Sequence, residues 1–355
     1  MIMPSKPAVN HSPSTLKAGA RRFSTAPMME WSDRHCRYFW RLMSKEALLY
    51  TEMVTTGALI HGDRSRFLRY SEEEHPVALQ LGGSDPAALA QCAQFAEEWG
   101  YDEVNLNVGC PSDRVQNNMI GACLMAHPAL VSDCIKAMQD ATAIDVTIKH
   151  RIGIDDMDSY QQLHDFVGQV ADTGCKTFII HARKAILQGL SPKENREIPP
   201  LHYDTVYRIK QEFPQLEVLI NGGIKTHEEC AQHLQHVDGV MLGREAYHNP
   251  AVMLDVDALY YGAQPASPDK VEIIRSLYPY IEEQLKDERT TLHHITRHTL
   301  GLFNGQYGAR LYRRILSEKA PRKGSGIEVL EEALQALIPP PEFIAEAELR
   351  AKQQS

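Results

Sequence analysis

No run of this sequence comes near the roughly 18 to 20 consecutive apolar residues that a membrane-spanning helix needs, and the N-terminus lacks the apolar core of a secretory signal. A chain outside the membrane is expected. No CxxC pair occurs among the seven cysteines, at positions 36, 92, 110, 123, 134, 175 and 230. An odd, scattered set argues against a disulfide framework and a zinc knuckle, so no metal centre is expected. It fits a reducing, cytoplasmic compartment. No GxGxxG follows the first strand-like run, so the fingerprint of a dinucleotide-binding doubly wound sheet is missing. Positive charge is also in deficit, with a formal net charge of −9, which excludes whole-surface attraction to a polyanion.

What is present is ordinary in amount and unusual in arrangement. The apolar fraction of 43% is that of a globular protein. A length of 355 residues suits one large α/β barrel with a smaller domain better than two equal halves. Charge is segregated. From Arg289 to Lys323 stand Arg289, Arg297, Arg310, Arg313, Arg314, Lys319, Arg322 and Lys323 against Glu318 alone, a local charge of +7, which leaves the remainder near −16. An acidic enzyme with one face turned to nucleic acid has this pattern; a solvated helix face is the competing reading.

Runs rich in β-branched residues recur at Arg22–Ala26, Ala47–Met53, Val77–Leu81, Glu103–Val108, Asp145–Lys149, Lys176–His181, Glu217–Asn221 and Gly239–Leu242. Helix punctuation lies between them. Asp85-Pro86 gives an N-cap with a first-turn proline, Ser159 opens a segment with Leu163, Phe166, Val167 and Val170 on one face, and Thr226 with Glu229 has capping-box spacing. Eight βα units over about 235 residues predict a (β/α)8 TIM barrel, typically about 250 residues long; a doubly wound sheet is the runner-up. After Tyr261 comes the Gly262–Pro268 linker and then helical pattern only, with Ile274, Leu277, Tyr278, Ile281 and Leu285 on one face and further segments near 291–304, 308–319 and 326–338. The expected organisation is a disordered tail over 1–20, a barrel over 21–261, a small helical bundle over 268–338 and a C-terminal tail over 339–355. Residues 1–20 carry a faint transit-peptide texture, but a plain tail is the favoured reading.

The carboxyl ends of the strands, where barrels keep their chemistry, hold a distinctive set. They are Ala26-Pro27-Met28-Met29, Gln80, Asn107 with Cys110, Lys149, His181 with Arg183, Asn221-Gly222-Gly223 and Gly243-Arg244. Taken singly, each has a bland explanation: a turn, an ion-paired lysine, a hydrogen-bonded histidine, a core cysteine. Together they make a site. The glycine-bearing turns after strands seven and eight stand where barrels bind phosphate through backbone N–H groups, and Arg244 adds a bidentate charge. A phosphate-ended cofactor beside Gln80, Lys149 and His181 suggests flavin mononucleotide, with Gln80 on the polar ring edge, Lys149 near N1 and O2, and the Pro27-Met28-Met29 turn beneath the ring. A Schiff-base lysine in an aldolase-like barrel is the alternative; it gives Cys110 no task.

Several segments resemble the A-type tRNA-dihydrouridine synthases: Arg22 to His35, Asn105 to Arg114 with Gly121 to Met125, Ile148 to Arg151, His181 to Lys184, Gln188 to Arg196 and Asn221 to Ile224. The resemblance runs from about Arg21 to Leu337. It implies reduction of the C5–C6 double bond of uridines at positions twenty and twenty-a of the tRNA D-loop, with NADPH reducing bound FMN. Pro27, Met28, Met29, Gln80, Lys149, His181, Asn221, Gly222, Gly223, Gly243 and Arg244 would hold FMN. Cys110 would be the proton donor, and Asn107, Lys193, Arg196, Arg310 and Arg313 would contact tRNA or the target base. Glu30, Asn118-Met119-Ile120 and Ile186 depart from the expected pattern, and none is a presumed flavin ligand.

Chemistry agrees independently. Hydride arriving at C6 leaves enolate-like charge at C5, so an acid must stand on the face opposite the flavin, and a thiol, which ordinarily titrates near about 8.5, carries its proton at neutral pH. The uracil must also leave its stack. Two other readings stay open at this point: a flavin barrel acting on a small pyrimidine or enone, and a non-catalytic RNA-binding barrel. A monomer with no obligatory protein partner is expected.

Overall fold

The computed structural model describes residues 16–112, 119–266 and 268–341. Most of the expected N-terminal and C-terminal tails, and Arg114 and Asn118 in the segment after Cys110, lie outside the described residues. Eight parallel strands close into a barrel in chain order: β1 Phe23–Thr25, β2 Leu48–Thr55, β3 Val77–Gly82, β4 Glu103–Val108, β5 Asp145–Arg151, β6 Thr177–His181, β7 Glu217–Asn221 and β8 Gly239–Leu242. Closure is made by β8 returning to β1, with Phe23 opposite Val240 and Thr25 opposite Leu242. A doubly wound sheet has no such pairing, so the barrel expectation holds.

Side chains alternate across each strand, and the two faces form two cores. Outward residues such as Val104, Leu106, Ile148, Phe178, Ile180 and Val218 join the connecting helices in one large apolar shell. Inward residues Leu48, Tyr50, Ala78, Ile179, Leu219 and Met241 form a small separate cluster along the axis. The helices start where the sequence says they do. Asp85 accepts from the Ala88 N–H before Pro86–Glu98, and capping boxes at Ser159/Gln162 and Thr226/Glu229 open Tyr160–Ala171 and His227–His233.

The barrel floor is closed by one buried arginine. Arg21 donates from Nε to Glu103 at 2.7 Å and from its terminal nitrogens to Asp145 at 2.5 Å and Glu217 at 2.9 Å. Burial opposes the arginine's charge, but Glu103 and Glu217 outweigh it and hold its pKa above the ordinary value.

Beyond Tyr261 the elements are helices: Lys270–Ser276, Tyr278–Gln284, Leu292–Thr296, Ala309–Lys319 and Ile327–Gln335. Two differ from the sequence expectation. The apolar face from Ile274 to Leu285 is broken between Ser276 and Tyr278, where Pro279 begins a new helix. The segment expected as helix to 304 stops at Thr296. Gly301 there is pressed onto the His248 carbonyl, where a Cβ would stand 2.2 Å from the oxygen, so turns replace helix to bring the chain against the barrel.

The helices dock on Arg34–Met43, which follows the Pro27–Met29 turn. Asp33, its N-cap, takes Arg297 at 2.7 Å and His298 at 3.0 Å. Tyr280 receives or gives the bond to His35 Nδ1 at 2.8 Å and stacks on Tyr38. Among the described residues no helix is long and apolar enough to cross a membrane.

Candidate active site

Strand register brings the predicted residues to one level of the barrel mouth. Asn107 lies opposite Lys149 across β4 and β5, Arg151 opposite His181 across β5 and β6, and His181 opposite Asn221 across β6 and β7. Lys149 Nζ donates to Asn221 Oδ1 at 2.9 Å, and Asn221 Nδ2 donates to the Met241 carbonyl at 2.8 Å. Burial, reinforced by the neighbouring Arg151, pulls the Lys149 pKa down to about 7, so its proton is mobile at physiological pH. Burial and the same cations hold His181 well below its ordinary value, as a neutral imidazole. Gly222 lies against this ring: its φ is +120°, and a Cβ there would stand 2.6 Å from His181 Cδ2. Gly223 is also left-handed at φ +75°, and a Cβ there would stand 2.7 Å from Leu201 Cδ1, so both conformation and packing require glycine at the turn.

Cys110 is half-buried just past β4. Its N–H donates to Asn107 Oδ1 at 3.0 Å, alongside the Gly109 N–H at 3.1 Å, and its carbonyl accepts from Ala122 at 2.8 Å. All three bonds use backbone, so the turn is fixed without the thiol. Asn107 Nδ2 donates in turn to Gln80 Oε1 at 2.8 Å. After β1, Met28 is half-buried beside Gly243, while Met29 is 59% exposed. Glu30 adopts φ +65°, its N–H bonded to Glu52.

Two residues that sequence reasoning did not single out hold the rim. Arg151 donates to the carbonyls of Gly109 at 2.9 Å, Lys184 at 3.1 Å and Asn195 at 2.9 Å, stapling the Cys110 turn to the loop after β6. Asn195, fully buried, orders that loop through Ile186, Leu190 and Ser191. The signal for Arg151 was its spacing, two residues beyond Lys149 on the same strand face.

A cationic group stands beside the glycine turns. Burial, and after it the nearby charge of Arg244, lowers the proton affinity of both Arg183 and Arg196, which places the three guanidinium groups close together. Arg244 is engaged by Glu197 at 2.8 Å and by the Arg196 carbonyl at 3.2 Å. Arg183 and Arg196 each keep a buried Nε with no partner among the described residues. Unmet donors, clustered positive charge and two left-handed glycines fit a phosphate-ended planar cofactor.

Lys193 is exposed on the loop after β6. Arg310 and Arg313 are apart from the mouth ring, on the helix Ala309–Lys319. Arg313 is tied to Asn304 at 2.9 Å, and Asn304 to the His248 carbonyl at 2.8 Å, four residues beyond Arg244. The local charge of +7 is partly neutralised by acids from elsewhere, Asp33 with Arg297 and Glu332 with Lys319.

Fold and site together define a barrel enzyme with a thiol, a half-buried lysine and an anion cradle at the carboxyl ends of its strands. The chain belongs to the dihydrouridine synthase family, whose profile, Dihydrouridine synthase (Dus), matches residues 24–338. It is 59% identical over 332 residues to the tRNA-dihydrouridine(20/20a) synthase of Pseudomonas aeruginosa, covering 94% of this chain and 99% of that one. It is 64% identical over 315 residues to the enzyme of the same name from Escherichia coli, covering 88% and 91% respectively.

Proposed function

We propose that this chain reduces the C5–C6 double bond of uridines in the tRNA D-loop, at the positions 20 and 20a that its relatives' names carry, with FMN in the barrel mouth and NADPH as reductant. The observation that carries the reading is Cys110, a thiol held by its backbone at the end of β4 beside Asn107, whose cross-strand partner is Lys149. When bound, the flavin supplies hydride to C6 of the base. Cys110 Sγ–H then gives its proton to C5 from the other side. Lys149, kept in place by Asn221, would sit against the negative edge of the ring system, with Gln80 and His181 beside it. Gly222, Gly223, Gly243 and Arg244 would receive the phosphate, and Pro27, Met28 and Met29 the apolar face.

On the RNA side, Asn107, Lys193 and Arg196 are suited to the extruded nucleotide, and Arg310 and Arg313 to backbone phosphates. The barrel, over 21–261, would be the catalytic domain and 268–338 the tRNA-binding one. A monomer working in the cytoplasm, without an obligatory protein partner, suits a reaction on tRNA by a chain of free thiols.

The test is purified, flavin-loaded protein given NADPH and unmodified tRNA: dihydrouridine is expected at those two positions, and its absence with the flavin fully reduced contradicts the reading. Replacing Arg310 and Arg313 together by alanine should raise the tRNA KM and flatten its log–log salt dependence by about 2 while NADPH-driven flavin reduction is unchanged. An unaltered salt slope would remove Arg310 and Arg313 from the tRNA contact.

A further inference from the structure

A continuous line of hydrogen bonds runs through the barrel interior from the floor to the mouth, and every donor in it points the same way. The Cys110 N–H donates to Asn107 Oδ1 at 3.0 Å, Asn107 Nδ2 to Gln80 Oε1 at 2.8 Å, and Gln80 Nε2 to Asn105 Oδ1 at 2.8 Å. Asn105 Nδ2 donates to Thr147 Oγ1 at 2.8 Å, and the Thr147 hydroxyl to Glu103 Oε1 at 2.5 Å. Glu103 also accepts from Tyr50 and from Arg21 Nε. Glu103, Asn105 and Thr147 are essentially inaccessible to bulk solvent.

Direction matters because an amide can turn over. Asn105, Gln80 and Asn107 each present an oxygen and an NH2 group of similar shape, and each is content with either orientation only if its neighbours reverse as well. At one end of the line stands the Glu103 carboxylate, which accepts from Arg21 Nε at 2.7 Å as half of an ion pair. At the other end stand two backbone N–H groups that can only donate. The orientation of every amide between them is therefore dictated from both ends. If Thr147 could not accept from Asn105, Asn105 Nδ2 would be left a buried donor without a partner and the line would be held from the Gly109 and Cys110 end alone, so that the three amides would shift to relieve it and the turn would be held less firmly.

We propose that the Arg21–Glu103 pair on the barrel floor, acting through Thr147 and Asn105, fixes which amide atoms Gln80 and Asn107 present at the mouth, and that Thr147 is thereby a positioning residue for the Cys110 turn. The consequence for catalysis rests on the proposed reaction; the ordering of the turn does not.

Glu103 itself is a poor target, since its loss also uncouples the floor. T147V keeps the shape and strand preference of the side chain and removes only the hydroxyl; T147S restores the hydroxyl in a smaller side chain. The readout is the rate at which iodoacetamide alkylates Cys110 in the flavin-loaded protein, resolved by peptide mass spectrometry from the other six thiols, together with flavin affinity and kcat on tRNA. In T147V the alkylation rate should change at least about threefold and kcat fall roughly tenfold, as a displaced acid demands, while T147S stays near wild type. T147V with wild-type alkylation would overturn the proposal, as would T147S impaired as much as T147V, which would assign the effect to packing. If wild-type protein makes no dihydrouridine, the reaction is misread, yet the alkylation comparison still decides the role of Thr147.

Discussion

Cys110→Ala should abolish almost all dihydrouridine formation, by about 10²- to 10⁴-fold, the range lost when a positioned general acid is removed. The effect should be confined to the proton step. The turn is anchored through the Cys110 N–H to Asn107 and the Cys110 carbonyl to Ala122, and alanine keeps both bonds. Flavin content and the rate of flavin bleaching by NADPH are therefore expected to match wild type, with only the tRNA-dependent reoxidation slowed. Stopped-flow absorbance reads both phases in one experiment. An undiminished product yield would remove the thiol from the mechanism.

Arg21→Ala is expected to cost about 3–5 kcal/mol of stability, the penalty for stripping a buried ion network of its counter-charge. Arg21 faces Glu103, Asp145 and Glu217 at once, and Glu103 is completely buried. Its removal leaves Glu103 buried without a counter-charge, beside the partly exposed carboxylates of Asp145 and Glu217. The sign of the pH effect follows. Burial already raises the Glu103 pKa against the pull of Arg21; without the arginine it rises further, so the native variant holds a proton that the unfolded chain has released. Its stability then increases as pH falls from neutrality toward the unfolded pKa of glutamate. Denaturant melts at pH 7 and pH 5 should show the gap between variant and wild type narrowing at the lower pH. A gap that is constant or widens would mean that the floor is held by packing instead.

The strands were legible because β-branched runs between helix caps are a local property. Each expected run overlaps an observed strand, and the mouth residues followed from reading strand ends alone. The boundaries of the later helices were less so. Nothing local in Gly301 announces that it must touch the His248 carbonyl, and that contact ends the helix at Thr296. The same limit hid the floor and the interior line. Arg21 meets Glu217 across 196 positions of sequence, and Asn105 meets Thr147 across 42, so their pairing exists only once the barrel has closed. Arg244 illustrates the point from the other side: its residue type was readable as an anion ligand, but its partner Glu197 was not.

The central claim is tested most directly in cells that lack this chain and then regain it, by nucleoside mapping of tRNA positions 20 and 20a. Dihydrouridine should vanish at both, return with the wild-type chain and fail to return with Cys110→Ala expressed to the same level. Dihydrouridine persisting at both positions in the absence of the chain would contradict the account.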